Sequence, residues 1–292
     1  MDTNNLKAFV EVAGKASFSR ASESLYLTQP AISKRIAALE SELDVKLFDR
    51  IGRRVQLTEA GRRLLPRARD LLSSAEDLQR IAANVDEEIS GPLTFATSHH
   101  IGLHRLPPLL RQFVKSYARV NLDMRFMDSE DACKAVESGE LELAIVTLPQ
   151  TPSAALVLEP VWPDPLSVMV NHEHELVGRK SVSLQQLASF PAVVPGIGTY
   201  TRALLEARLR PANIELQIAM SSNYLETLRM LAEIGLGWTL LPDSMLNDQL
   251  LQVPVRGLRI KRRLGLVMHR KRTLSRAADA LRDLCLTQGD SR

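Results

Sequence analysis

The stretch "LTQPAISKRIAALE" (residues 27–40) carries side chains suited to reading a base pair. Gln29 can pair bidentately with adenine, and Lys34 can donate to guanine O6 and N7. Ser33 and the start of a helix suit phosphate oxygens. Pro30 falls in the first turn, where a missing N–H costs little. Ile32, Ile36 and Leu39 recur at i, i+4 and i+7 and form a buried stripe. At 100° per residue, Pro30, Ser33, Lys34, Ala37 and Ala38 project away from that stripe, with Gln29 beside Ser33 at the N-terminal end. A small-residue face lets the helix body approach another surface closely. The same spacing also suits an ordinary amphipathic core helix, so the elements around it must decide.

A second stretch, "HHIGLH" (99–104), raises metal chemistry. His100 and His104 are four apart and can share a helical face. No acid or cysteine lies nearby at ligand spacing, and Pro107 suggests that the helix starts later. The expectation is therefore ordinary polar residues, with no metal and no cofactor. A third stretch, "LFDRIGRRVQLTEAG" (47–61), clusters Arg50, Arg53 and Arg54 around a turn at Gly52. A basic hairpin beside a recognition helix is a wing that can touch phosphate or the minor groove.

The elements that position these residues fall into three pieces. Residues 1–58 read as an all-α winged helix-turn-helix. Leu6, Phe9, Val10 and Ala13 mark one helix, and Phe18, Ala21, Ser22 and Leu25 a second, capped by Ser17. Tyr26 and Leu27 turn the chain, and Thr28 caps the third helix. Residues 59–90 read as one long linker helix. Leu64, Ala68, Leu71, Ala75, Leu78, Ala82 and Val85 repeat at spacings of four and three, a heptad seam that pairs two copies or lies on its own domain. Pro66 is expected to bend its first turns.

Residues 91–292 alternate strand and helix patterns: strands at 93–97, 120–127 and 141–147, helices at 106–117 and 129–140, then a crossover near 163–170. The pattern restarts with strands at 191–196, 213–220 and 237–242 and helices at 201–209 and 223–235. This predicts parallel sheets with helices on both faces. Two lobes follow, about 91–162 with 266–292, and 163–265. Their cleft lies at the carboxyl ends of the strands.

Charge is uneven. The 292 residues carry a net +3, yet 45–69 holds eight bases against two acids and 70–88 six acids against one base. A basic block at one end points to a local polyanion contact. The run 256–272 has eight bases and no acid and reads as a returning strand with its solvent edge. Aromatic content of 4% argues against a stacking platform for single strands. The first residues lack a secretory pattern, and no apolar run is long enough to span a bilayer. Two distant cysteines, Cys133 and Cys285, exclude a disulfide scaffold and fit a reducing cytoplasm.

Residues 18–61, with the core "TQPAIS…I..LE..L…LF.R…..LT.AG", resemble the DNA-binding domain of LysR-type transcriptional regulators. "SGELELAIV" (138–146) and "AEIGLGWTLLP" (232–242) resemble parts of that family's effector domain. The resemblance covers nearly the whole chain. It implies a periplasmic-binding-protein-like effector domain, promoter DNA and a small metabolite as partners, contact with RNA polymerase, and assembly as a dimer of dimers. It casts Gln29, Pro30, Ser33 and Lys34 as groove-facing residues and Arg50, Arg53 and Arg54 as the wing. Asp44 stands where the family usually has a helix-ending glycine, though Asp tolerates a left-handed cap.

Carried over, the effector contacts are Thr97, Ser98, His99 and His100 after the first strand and Thr147 after the third. In the second lobe they are Gly196, Ile197, Gly198, Thr199 and Asn223; an added positive charge would come from His99 or His100 if protonated, or from Arg202 if it turns inward. Hydroxyls and free N–H groups at helix starts favour an anion, a carboxylate or oxyanion. An enzyme is the main rival, but no G-x-S-x-G, P-loop or H-E-x-x-H motif is present. A pure solute-binding module would carry an export signal and no helix-turn-helix, against the reading of residues 1–58.

Overall fold

The computed structural model describes residues 1–51, 54–83 and 88–289. Two compact units result, one built on the elements through the long helix and one on those that follow.

In the first unit, α1 (Thr3–Lys15) and α2 (Phe18–Ser24) start where Asp2 accepts from the N–H of Asn4 and Ser17 from that of Arg20. Tyr26 takes a left-handed φ of 53°, which turns the chain tightly, and it stays almost fully exposed. Thr28 then caps α3 (Gln29–Leu43), with Pro30 in the first turn. Asp44 adopts the left-handed conformation that ends this helix, at φ 51° and ψ 37°. The family's usual glycine is thus replaced without loss of the cap, because a short Asp side chain accommodates this region better than most. The strands β1 (Phe48–Ile51) and β2 (Arg54–Leu57) pair antiparallel, with Phe48 opposite Leu57. Ile32, Ile36 and Leu39 bury against Phe9, Phe18 and Phe48, and the Phe48 ring meets both other rings edge-on.

The long helix α4 (Glu59–Ala83) continues through Pro66 as a single element. Gly61 belongs at its start because a Cβ there would lie 2.2 Å from the backbone oxygen of Leu47. The heptad expectation needs correction at its first two positions. Ala68 is buried in the unit's own core and Leu64 packs against it, together with Leu72, which lies outside the seam. Leu71 and Leu78 are exposed, and Ala75 is half-buried. The side chain of Ala82, and Val85, lie outside the described residues.

Glu40 fastens the end of α3 to the start of β1. Its Oε1 accepts from the N–H groups of Leu47 and Phe48 at 2.8 and 3.4 Å, and its Oε2 pairs with Lys46 at 2.8 Å. Burial alone would raise its pKa, but Lys46 and the two N–H groups hold it below the usual 4.5. A depressed carboxylate contributes stability that is complete above 4.5 and lost as pH falls through the folded value. Glu40→Ala is expected to destabilise this unit by about 1.5–3 kcal/mol at pH 7, the range for hydrogen bonds to a charged group. Urea melts at pH 7 and pH 3 check it: the gap between wild type and variant should narrow at the lower pH.

The second unit opens with β3 (Gly91–Thr97), α5 (His99–His104), α6 (Leu106–Ser116), β4 (Val120–Phe126), α7 (Ser129–Glu137) and β5 (Leu143–Thr147). The long β6 (Leu156–Asn171) leads to α8 (Leu184–Ala188), β7 (Ala192–Val194), α9 (Tyr200–Leu209), β8 (Ile218–Ser221), α10 (Leu225–Glu233) and β9 (Trp238–Pro242). The elements β10 (Leu250–Val253), β11 (Ile260–His269) and α11 (Arg276–Gly289) finish it. "HHIGLH" is itself helical: α5 precedes α6 instead of leaving a loop before Pro107. The sheet is mixed, not all parallel. Two parallel triads, β4-β3-β5 and β8-β7-β9, are joined by the antiparallel pair β6 and β11.

β11 runs beside both lobes. Leu264 to Met268 pair with β5, and its earlier residues pair with Pro163 to Leu166 of β6. The register shifts between Leu264 and Gly265. A Cβ on Gly265 would lie 2.2 Å from the Glu159 oxygen, so only glycine fits this crossing. Lobe one packs around Phe95, Leu109, Phe113, Leu266 and Leu281, and lobe two around Leu205, Trp238, Leu240 and Val253.

Candidate DNA-contact helix and effector cleft

The outward face of α3 is as small as its sequence suggests. Gln29, Pro30, Lys34, Ala37 and Ala38 are exposed and Ser33 is half-buried. Among the described residues, the side chains of Gln29, Ser33 and Lys34 have no hydrogen-bond or ion-pair partner within the unit. The backbone of the wing places Arg50 opposite Val55 and Arg54 opposite Ile51. Arg53 and the side chains of Arg50 and Arg54 lie outside the described residues.

A cleft of about 320 Å³ opens in the second unit. Lobe one contributes Ser98, His99 and His100, the turn from Phe126 to Asp131, and Thr147. Lobe two contributes Thr199, Thr201, Asn223 and Tyr224, and Arg262 of β11 also faces in. Of the residues carried over from the family, Ser98, His99, His100, Thr147, Thr199 and Asn223 line the cleft. Thr97 does not: it is buried behind the wall and donates to the Ile145 carbonyl at 2.8 Å. Gly196, Ile197 and Gly198 do not line it either. The Gly196 N–H is taken by Asn223 Oδ1 at 3.2 Å, and Ile197 is 90% exposed. Arg202 turns away, pairing with Glu206 at 2.7 Å.

The inward cation is Arg262 instead. It is buried, donates to Asp164 at 2.6 Å and to the Thr201 hydroxyl at 3.0 Å. Its signal was the alternation of β11, where Ile260, Arg262 and Leu264 are buried on one face while Lys261 and Arg263 are exposed. The turn after β4 is the other omission. Glu130, on α7 of lobe one, accepts from the N–H of Tyr200 at the start of α9 in lobe two. Burial pushes its carboxyl above the usual value. Asp128 beside it accepts from Asn223 Nδ2 at 2.6 Å.

A third contact between the lobes is made by histidines. His99, His100 and His104 all face Glu226 of α10, at 3.6, 3.7 and 2.9 Å. His100 is buried, which lowers its pKa and keeps it neutral. The His100 imidazole beside Glu226, helped by His104, holds the carboxyl down to about 2 against the opposing pull of burial. This acid lies 122 residues from His104, so no local spacing announces it.

A helix-turn-helix with a strand hairpin, a long helix and a two-lobed α/β unit define a class: DNA-binding regulators that carry an effector-binding domain. A family model described as the bacterial regulatory helix-turn-helix protein, lysR family, matches residues 3–62, and one described as the LysR substrate binding domain matches residues 86–290. The chain belongs to the LysR family of transcriptional regulators.

It is 31% identical over 297 residues to a probable nitrogen assimilation transcriptional activator of Synechococcus elongatus, covering 98% of this chain and 94% of that one. A full-length OxyR variant from Pseudomonas aeruginosa superposes with a TM-score of 0.72 at 24% identity, over 98% of both chains. Full-length CbnR complexed with its target DNA gives 0.63 at 20% identity, over 99% of this chain and all of that one. At these identities the two structures speak for the fold. No helix among the described residues is long and apolar enough to cross a membrane.

Proposed function

We propose that this regulator binds promoter DNA as a homo-oligomer and that a small anion with hydrogen-bond donors on its far side controls it from the cleft. The observation that carries the effector reading is the contact of Glu130 with the N–H of Tyr200. A carboxylate of one lobe sits at the helix start of the other, where the dipole and free N–H groups favour negative charge. A free carboxylate or oxyanion can take that position and displace Glu130. Asp128 then offers an acceptor to a hydroxyl or ammonium on the same molecule. Regulation, not catalysis, suits the hydroxyls present: Thr199 caps α9, and Ser129 accepts from the N–H of Thr147 at 3.2 Å.

DNA is read by Gln29, Ser33 and Lys34 in the major groove, with Arg50, Arg53 and Arg54 on the backbone. Among the described residues, Leu71 and Leu78, exposed on α4, are apolar positions of the heptad left for a second copy. An effector shifts the assembly only by binding one lobe arrangement better than the other. That arrangement sets half-site spacing, DNA bend and access for RNA polymerase.

Thermal melts of the full-length protein against panels of carboxylates, inorganic oxyanions, neutral compounds and cations test the effector. An anion at 100 times its Kd should stabilise by about 2.7 kcal/mol. Glu130→Gln, which removes the competing charge, should tighten that anion several-fold. Stabilisation by neutral or cationic compounds alone would sink the reading.

A further inference from the structure

The histidines around Glu226 form a donor set that neither DNA contact nor the Glu130 anion position uses. α5 presents His100 and His104 on one face, with ring centroids 4.8 Å apart. Glu226 reaches them from α10 of the other lobe. One ligand atom from each of the three lies within 4.8 Å of the others. His100 is only 5% exposed, yet neither of its ring nitrogens has a hydrogen-bond partner, and neither does Glu226 Oε2. Buried polar atoms left unpaired are costly and rare in folded proteins, and a cation would satisfy one nitrogen of His100 and the Glu226 carboxylate together.

We propose that His100, His104 and Glu226 are the protein ligands of a divalent cation of the zinc class that joins the two lobes. Two imidazoles and one carboxylate suit zinc, cobalt or nickel, whereas calcium and magnesium need more oxygen ligands. Ligand distances near 2.0–2.2 Å require the three donors to draw closer together. The half-exposed His104 side chain has room to make that move. Arg262 does not oppose the charge, because Asp164 already neutralises it. His99 is wedged between Phe126 and Tyr224, with its Nδ1 3.6 Å from Glu226 Oε2. Three protein ligands would leave a fourth position for water. Because α5 and α10 belong to different lobes, occupancy favours the closed arrangement and gives the regulator an input distinct from the anion.

The test uses full-length protein stripped with a chelator. Calorimetric titration with zinc chloride should show one site per chain, and cobalt should give the visible absorption of a low-coordinate nitrogen–oxygen site. His104→Gln and Glu226→Gln should each weaken zinc by about 100-fold or more, since loss of mere outer partners already costs 10–100-fold. They alter opposite lobes, so a shared effect is not a folding defect of either one. His172→Gln, at a side chain bonded to the Asp248 carbonyl, should change nothing. Zinc binding that is absent in wild type, or equal in all four proteins, overturns the proposal. Anion binding is read separately by the melts above, so either idea can fail alone.

Discussion

Asp164→Ala should lower the stability of the two-lobed unit by about 3–5 kcal/mol, the usual cost of leaving a buried charge without its partner. Asp164 and Arg262 stand directly opposite each other on β6 and β11, both almost inaccessible to water, at 2.6 Å. Arg105 approaches the other carboxylate oxygen at 3.6 Å. Removing the carboxylate strands a guanidinium whose remaining side-chain contact is the Thr201 hydroxyl. For a unit of this size the melting point should fall on the order of 10 °C. Pairing the change with Arg262→Met should recover much of the loss, because an apolar replacement of a whole buried pair is often neutral or better. Equal destabilisation by the single and double variants, measured in urea, would contradict this account. The effector response should suffer as well, since Arg262 lines the cleft.

Lys34→Ala should cost specific promoter binding about 1–3 kcal/mol, or roughly 5- to 150-fold, the worth of one good base-edge contact. Binding to bulk DNA should fall far less. Arg53→Ala should weaken both kinds of binding and reduce the salt slope by about one counterion. Fluorescence anisotropy with a promoter fragment and a scrambled duplex, repeated across salt concentrations, separates the two roles. If both variants lose affinity equally for both duplexes, α3 does not read sequence. Folding is not in question for Lys34, whose side chain is exposed and unpartnered.

The legible parts of this protein are those set by neighbours in sequence. The stripe of Ile32, Ile36 and Leu39 fixes which side of α3 faces out. Ser17 and Thr28 mark helix starts because a hydroxyl two or three residues before a free N–H is a local device. The strand–helix alternation of both lobes was readable for the same reason, although β8 proved shorter than its pattern. What could not be read depends on pairing at a distance. The heptad on α4 states that one side is apolar but not what covers it, and the domain's own core takes Leu64 and Ala68. Arg262 lies in a basic run that looked like a solvent edge, since only the crossing of β6 reveals that its face is interior. Glu130 and Glu226 meet their partners across the cleft, 70 and 122 to 127 residues away. The residues carried over from the family found parts of the cleft wall in both lobes and missed the acids beside them.

The path of β11 and α11 bears on how the polypeptide matures. Lobe one includes Leu266, Ala278, Leu281 and Cys285 among its buried residues. These leave the ribosome after the whole of lobe two. At about 5–20 residues synthesised per second the first lobe therefore waits on the order of ten seconds, half built, for its closing pieces. Its apolar interior is open to aggregation and to chaperones during that interval, while lobe two, nearly continuous in sequence, has less to wait for.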